Sequence, residues 1–241
     1  MSRARGQQRG TSTTTTIEQS VRQAPALTPV KQAPTPPAKP APSFSVAQVR
    51  AGHTISLRAK PNGRVLTRVA ATTEFGSATA LSVAATRGSW LAVTSTALPN
   101  GTVGWVKSSN ALAMHRTKVS IRVDVSSRSL SLLEGDRTVR SFKVAVGRPG
   151  SPTPRGRFAI TDKLSGSQYG PYYGCCILAL SGHQPHTPAG WQGGDRLAIH
   201  GTDSTGTIGT PASAGCLRAS DSDLRVLMRR VPVGTPVFIR S

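Results

Sequence analysis

The sequence predicts a mainly β protein with one or two helices, and three observations carry that expectation. Short runs of β-favouring residues recur from Phe44 to the C-terminus, punctuated by Gly, Pro, Asn and Asp. Several of these runs alternate apolar and polar residues, the period of a half-buried strand. Only the stretch around 221–231 spaces its apolar residues as a helix does. With 241 residues, 37% of them hydrophobic, the chain suits one or two modest domains.

Residues 1–43 stand apart from the rest. They hold seven prolines, a threonine run from Thr13 to Thr16 and no aromatic residue, too little apolar surface to offset the entropy of ordering. A disordered tail is expected there, with Ala33–Pro42 an extended, semi-rigid spacer. Arg3, Arg5 and Arg9 would suit the start of a secretion signal, but the apolar stretch of about 7–15 residues that must follow is not visible.

From Phe44 the runs Val65–Val69, Leu81–Ala85, Trp90–Thr94 and Val103–Val106 read as short strands. Asn62-Gly63 and Asn100-Gly101 supply turn dipeptides between them. This module is expected to span 44–114, with Trp90 and Trp105 in its core, where aromatics of small barrels are more often found. A second block, 118–241, opens on the strictly alternating Val119–Val125. Ser129–Leu133, the Glu134-Gly135-Asp136 turn and Val139–Val146 then form a hairpin pattern. Arg157–Thr161 and Leu197–His200 follow as strands. The single helix is capped by Ser220 or Asp221 and aligns Leu224, Leu227, Met228 and Val231 on one face. Pro232 and Gly234 stop it before a last strand at Pro236–Ile239.

Charge narrows the partners. Lys and Arg number 30 against 10 Asp and Glu, a net charge of +20, of which residues 1–43 carry five units. Such an excess suits an anionic polymer. A nucleic-acid partner is not expected, because no recognition motif and no interleaving of basic and aromatic residues occurs. No apolar run approaches the roughly 20 residues that span a bilayer.

The chemistry concentrates in two segments. Phosphate-loop, G-x-S-x-G and paired C-x-x-C patterns are absent. His183 and His186 in His-Gln-Pro-His read as loop residues rather than a zinc site, so neither metal nor cofactor is expected. What remains is Ile199-His200-Gly201-Thr202 and Ser213-Ala214-Gly215-Cys216-Leu217-Arg218, with histidine and cysteine 16 residues apart. A cysteine attacks carbonyls as its thiolate, and an imidazole supplies the base or the stabilising cation. Glycine before the nucleophile admits close approach of a substrate and exposes N–H groups to a developing oxyanion. Arg218 adds a fixed positive charge. The same spacing also fits two ordinary core residues on neighbouring strands. Cys175-Cys176 reads as two buried thiols beside a strand, because a bond between adjacent cysteines is strained.

Two resemblances follow. Leu57-Arg58-Ala59-x-Pro61-x-Gly63, Trp90-Leu91-x-Val93 and Gly104-Trp105-Val106 make the 44–114 module similar to bacterial SH3-like domains, which often bind wall peptide or glycan. The 118–241 block resembles the L,D-transpeptidase (YkuD) catalytic domain, a β-sandwich with one or two helices. It does so through His200-Gly201 and Ser213-x-Gly215-Cys216-x-Arg218, and also through Val123-Asp124, Val146-Gly147, Thr153-Pro154-x-Gly156-x-Phe158 and Gly234-Thr235-Pro236-Val237.

The second resemblance implies an extracytoplasmic enzyme that cross-links peptidoglycan. Cys216 would attack a stem tetrapeptide, release D-Ala and pass the acyl group to a diaminopimelate amine, giving a 3→3 cross-link. His200 would be base and acid, the Gly201 carbonyl would orient its ring, and Gly215 and Cys216 N–H groups would form the oxyanion hole. Arg218, Ser213, Tyr169 and Tyr172 would bind substrate, the tyrosines lying in the Tyr169–Tyr173 segment where the family places a lid. One departure is Ala214, where the family usually has histidine. It keeps open a weakly active or non-catalytic wall-binding protein, and an L,D-carboxypeptidase that uses water as acceptor.

Overall fold

Strand alternation shapes both halves of the computed structural model, which describes residues 41–241 apart from Gln192. The expected tail therefore lies outside the described residues but for its last three. The first sheet contains β1 (Phe44–Val49), β2 (Thr54–Arg58), β3 (Val65–Ala70), β4 (Ala80–Arg87), β5 (Trp90–Val93), β6 (Gly104–Lys107) and β7 (Leu112–Thr117). Their order is β3-β2-β6-β5-β4-β1-β7. The Asn62-Gly63 turn lies between the antiparallel β2 and β3, and Asn100-Gly101 lies between β5 and β6. β7 pairs with β1 along its whole length and runs to Thr117, past the expected end near Met114.

Ala47, Val49, Leu57, Leu81, Leu91, Val93, Val106 and Leu112 are among the residues that fill this sheet's core. Trp90 and Trp105 do not join them, contrary to expectation. Successive strand residues point to opposite faces, so the inward Leu91 and Val106 put Trp90 and Trp105 on the other side. Both are half-buried, and Trp90 lines an open groove with Arg58 and Lys107.

The second sheet contains β8 (Val119–Asp124), β9 (Ser129–Glu134), β10 (Arg137–Lys143), β11 (Gly156–Ser165), β12 (Cys176–His183), β13 (Arg196–His200), β14 (Leu217–Arg218) and β15 (Pro236–Arg240). The order is β10-β9-β8-β15-β11-β12-β13-β14, with β15 parallel to β8 and β14 parallel to β13. β11 is the corner. Its first half pairs with β15, its second half with β12, and the register shifts between Ile160 and Asp162. A bulge of that kind bends a strand from one sheet layer into another. The two halves close over one core that joins Ile121, Leu130 and Leu132 to Leu178, Leu180, Leu197 and Ile199.

The helix α1 (Asp221–Arg230) packs against β12 and buries Leu224 and Leu227. The Ser220 hydroxyl caps it by accepting from the Asp223 N–H, and Asp221, Asp223, Arg229 and Arg230 complement its dipole. No helix among the described residues is long and apolar enough to cross a membrane.

β12 escaped the sequence reading because all but its last residue are buried. A strand covered on both faces loses the alternation that identifies it. Its first residue corrects a second expectation: Cys175 and Cys176 are bonded to each other. Cys175 sits in a turn ahead of β12, so the rule that sends neighbouring strand side chains to opposite faces does not separate the two sulfurs. Cys216 is the free thiol.

Candidate active site

The candidate site is built where β13 ends beside β14. These strands run parallel, with Ile199 opposite Leu217 and His200 opposite Arg218. His200 is fully buried, and its Nδ1 donates to the Gly201 carbonyl at 2.6 Å. A carbonyl can only accept, so that contact fixes the tautomer and leaves Nε2 as a bare lone pair. Nε2 has no hydrogen-bond partner among the described residues. Burial, chiefly, pulls the histidine's pKa down to about 4, and the nearby Arg218 adds to the effect. The ring is therefore neutral at neutral pH, a base waiting for a proton.

Gly201 can occupy its place only without a side chain, since a Cβ would run into the Asp221 carboxylate and the Gly174 backbone. Asp221 also accepts from the Cys175 N–H at 2.9 Å, which ties the start of α1 to the segment that precedes β12.

Cys216 lies on the loop entering β14, its sulfur 3.8 Å from the Arg196 carbonyl. Burial raises the thiol's pKa, while hydrogen bonding from the Ala198 backbone and the Arg218 charge oppose the rise. The loop itself is tightly braced. Ser213 Oγ donates to the Cys216 carbonyl at 2.6 Å and accepts from the Gly215 N–H at 3.0 Å. Thr153 donates to the Gly215 carbonyl, and the Val146 carbonyl accepts from the Ser213 N–H. The Val146-Gly147 and Thr153 motifs thus converge on the cysteine loop. Gly215 adopts φ +119°, and a Cβ there would collide with the Gln184 side chain.

The tyrosines divide. The single turn Pro171–Tyr173 stacks two of them on the imidazole, with ring centroids 5.5 Å from His200 for Tyr172 and 4.9 Å for Tyr173. Arg218 donates to the Tyr172 hydroxyl at 2.6 Å and lies against its ring. Tyr173, which the sequence did not single out, has its pKa raised by burial and then by the neighbouring Cys216 and Tyr172. Tyr169 is exposed and meets Tyr173 edge-on without lining the cavity. Ser213 is also away from the cavity, with its hydroxyl spent on the loop.

A cavity of about 50 Å³ opens at Cys216, among Tyr172, Tyr173, Gln184, Trp191, Arg196 and Ala214. Gln184 is the other residue missed. Its buried amide donates to the Pro152 and Ala214 carbonyls, each at 3.0 Å, so it holds the loop on which Ala214 stands in place of the usual histidine. The signal was present in His183-Gln184-Pro185-His186, read there for its histidines alone. His183 instead contacts Asp195 and the Thr96 carbonyl.

A free thiol on the loop entering β14 and an imidazole with one open nitrogen at the end of the parallel β13 make a candidate cysteine–histidine site on a β scaffold. A family profile described as the L,D-transpeptidase (YkuD) catalytic domain matches residues 118–239, just over half of the chain. The chain belongs to that family.

Among curated relatives, a Bacillus licheniformis protein named as the L,D-transpeptidase YkuD is 36% identical over 121 residues, and its Bacillus subtilis counterpart is 31% identical over the same length. Each alignment covers 49% of this chain and 64% of the relative, so the chain spans under two thirds of their length. A Salmonella typhimurium protein named ErfK/SrfK, an L,D-transpeptidase by name, is 31% identical over 44% of this chain and 38% of its own. Solved structures include L,D-transpeptidase 3 of Mycobacterium tuberculosis with a faropenem-derived adduct, at 16% identity and a TM-score of 0.42 over 58% of this chain and 73% of that one. The catalytic domain of the Enterococcus faecium enzyme gives 22% identity and a TM-score of 0.37 over 50% and 95%.

Proposed function

We propose that the protein is a peptidoglycan L,D-transpeptidase in which Cys216 carries the acyl group. The observation that supports this most is His200: a buried, neutral imidazole, anchored through Nδ1, whose free Nε2 sits on the strand beside the cysteine loop. His200 takes the thiol proton as Cys216 attacks the amide carbonyl between the third and fourth residues of a stem tetrapeptide. It returns that proton to the leaving D-Ala amine, and a thioester remains. A side-chain amine of a second stem, diaminopimelate in the reading favoured by family resemblance, then displaces the thiolate and completes a 3→3 cross-link.

The Cys216 N–H makes no hydrogen bond among the described residues and is free to face the oxyanion. The Gly215 N–H, expected to join it, is occupied by Ser213. Arg218 and Tyr172 form one unit, the arginine donating to the tyrosine hydroxyl. That unit is suited to a substrate carboxylate, and the Arg218 charge also biases both His200 and Cys216 toward the forms that catalysis uses. Metal and cofactor play no part in this scheme.

Acting on peptidoglycan places the protein outside the cytoplasm. Its excess of positive charge suits anionic wall polymers, with the first sheet as an SH3-like wall-binding module. The test is D-Ala release from a disaccharide-tetrapeptide. Wild type should release it and Cys216→Ala should not, whereas release by Cys216→Ala would remove Cys216 as nucleophile.

A further inference from the structure

The first sheet sends one turn toward the candidate site. Between β3 and β4, residues Thr73–Ser77 form a closed finger. Thr73 N–H donates to the Ser77 carbonyl at 2.8 Å, Gly76 N–H to the Thr73 carbonyl at 3.0 Å, and Ser77 N–H to the Thr73 hydroxyl at 3.1 Å. Those three bonds brace the turn within itself.

Three consecutive residues of the finger engage the second sheet. The Thr73 hydroxyl donates to the fully buried Asp162 at 2.5 Å. Glu74 pairs with Arg196. Phe75 lies beneath the Arg196 guanidinium, 5.7 Å from its ring centroid, and meets Tyr169 edge-on at 6.4 Å.

Two of these contacts continue to the reacting groups. Along one route, Tyr169 abuts Tyr173 at 6.2 Å, and Tyr173 abuts His200 at 4.9 Å. Along the other, Arg196 is clamped by Glu74, the Thr161 hydroxyl and the Leu180 carbonyl, and its own carbonyl lies 3.8 Å from the Cys216 sulfur. A single turn of the first sheet therefore stands at the far end of both the aromatic stack on the histidine and the strand start beside the cysteine.

We propose that Glu74 and Phe75 are positioning residues of the transpeptidase site, so that the first sheet sets the catalytic rate of the second in addition to any binding of its own. This rests on the function proposed above. Neither residue touches substrate or reacting atoms: Phe75 holds Tyr169 and Tyr173 against the imidazole, and Glu74 holds Arg196. A displacement of about 1 Å at a reacting pair is enough to cost up to ~100-fold in rate.

The experiment compares contacts of the same interface that do and do not lead to the site. Arg157 provides the control. It bridges the sheets by donating to the Ser82 hydroxyl and the Val83 carbonyl, and among the described residues its side chain makes no hydrogen bond to the residues around Cys216. Phe75→Ala and Glu74→Gln in the full chain should each lower kcat for D-Ala release by about 10-fold or more, with KM changed less than about twofold. Phe75→Tyr should restore it, and Arg157→Met should leave kcat within about twofold of wild type.

A second readout does not depend on transpeptidation. Alkylation of Cys216 by iodoacetamide at pH 7.5 should slow at least about threefold in Phe75→Ala, because Nε2 is no longer placed to take the proton. A wild type that releases no D-Ala would contradict the proposed function and leave alkylation to judge the positioning role. Unchanged kcat and alkylation in both finger variants would overturn that role. So would an equal loss in Arg157→Met, which would reduce the finger to an ordinary interface contact.

Discussion

The two sheets bury their apolar residues alike and their polar residues very differently. Among the described residues, the buried polar side chains of the first sheet are the small hydroxyls of Thr79, Ser82, Thr94 and Ser95. The second sheet buries Asp162, Gln184, His200 and Arg218, groups that are costly to take out of water. Stability alone does not account for such a choice, since an apolar core of equal volume is usually no worse. Arg218 and Gln184 lie around Cys216, and His200 is paired with Arg218 across the parallel strands. The core of the first sheet thus reads as scaffold, and that of the second as scaffold with a candidate site built into it.

The largest effect that would break this contrast belongs to the reacting pair. Cys216→Ala should reduce D-Ala release to background, and His200→Gln should lower it by about 10²–10⁴-fold, the usual range for loss of a positioned base. Either variant retaining wild-type turnover would make the pair ordinary structural residues.

Next comes a loss of pure packing in the first sheet. Leu57 is fully buried, and Leu57→Ala should cost about 2–5 kcal/mol in denaturant unfolding. Trp90→Ala, on the outer face, should cost much less. Equal costs would restore Trp90 to the core.

His200 also predicts how stability depends on pH. Its folded pKa of about 4 lies below the 6.5 of an unhindered histidine, so the unfolded chain binds the proton first as pH falls. The contribution is complete above pH 6.5 and is lost as pH drops toward 4, by an amount of about 3 kcal/mol. Urea midpoints of wild type should therefore decline more steeply across that window than those of His200→Gln. Parallel declines would mean that the imidazole is not held neutral.

The smallest effect is expected at Gln184. Gln184→Ala removes the donors that fix the Ala214 and Pro152 carbonyls, and should cost about 1–3 kcal/mol in stability with a fall in turnover per folded molecule. A loss of stability with unchanged turnover would make it a brace for the fold alone.

How far the sequence foretold all this depends on which signal each element leaves. β8, the β9–β10 hairpin, α1 and β15 were visible because each has one wet face and so a readable period. β12 has none, being buried on both sides, and it was overlooked. His200 and Cys216 were singled out because their chemistry needs particular residue types at a short spacing, and Gly201 through the family resemblance. Tyr173 and Gln184 were not, since their importance lies in what they touch across the fold: the imidazole for one, two carbonyls of the cysteine and Thr153 loops for the other. Ser213 shows the reverse error. Its place in the motif suggested a substrate contact, and its hydroxyl instead closes the loop on Gly215 and Cys216.

The most direct test of the account is the intact mass of the protein after mixing with a stem tetrapeptide. Wild type should gain the mass of the acyl tripeptide, the substrate less D-Ala, mapped to Cys216, and His200→Gln should gain it far more slowly. A wild type that gains no adduct, or a Cys216→Ala variant that still gains one, would contradict the claim that this cysteine carries the acyl group.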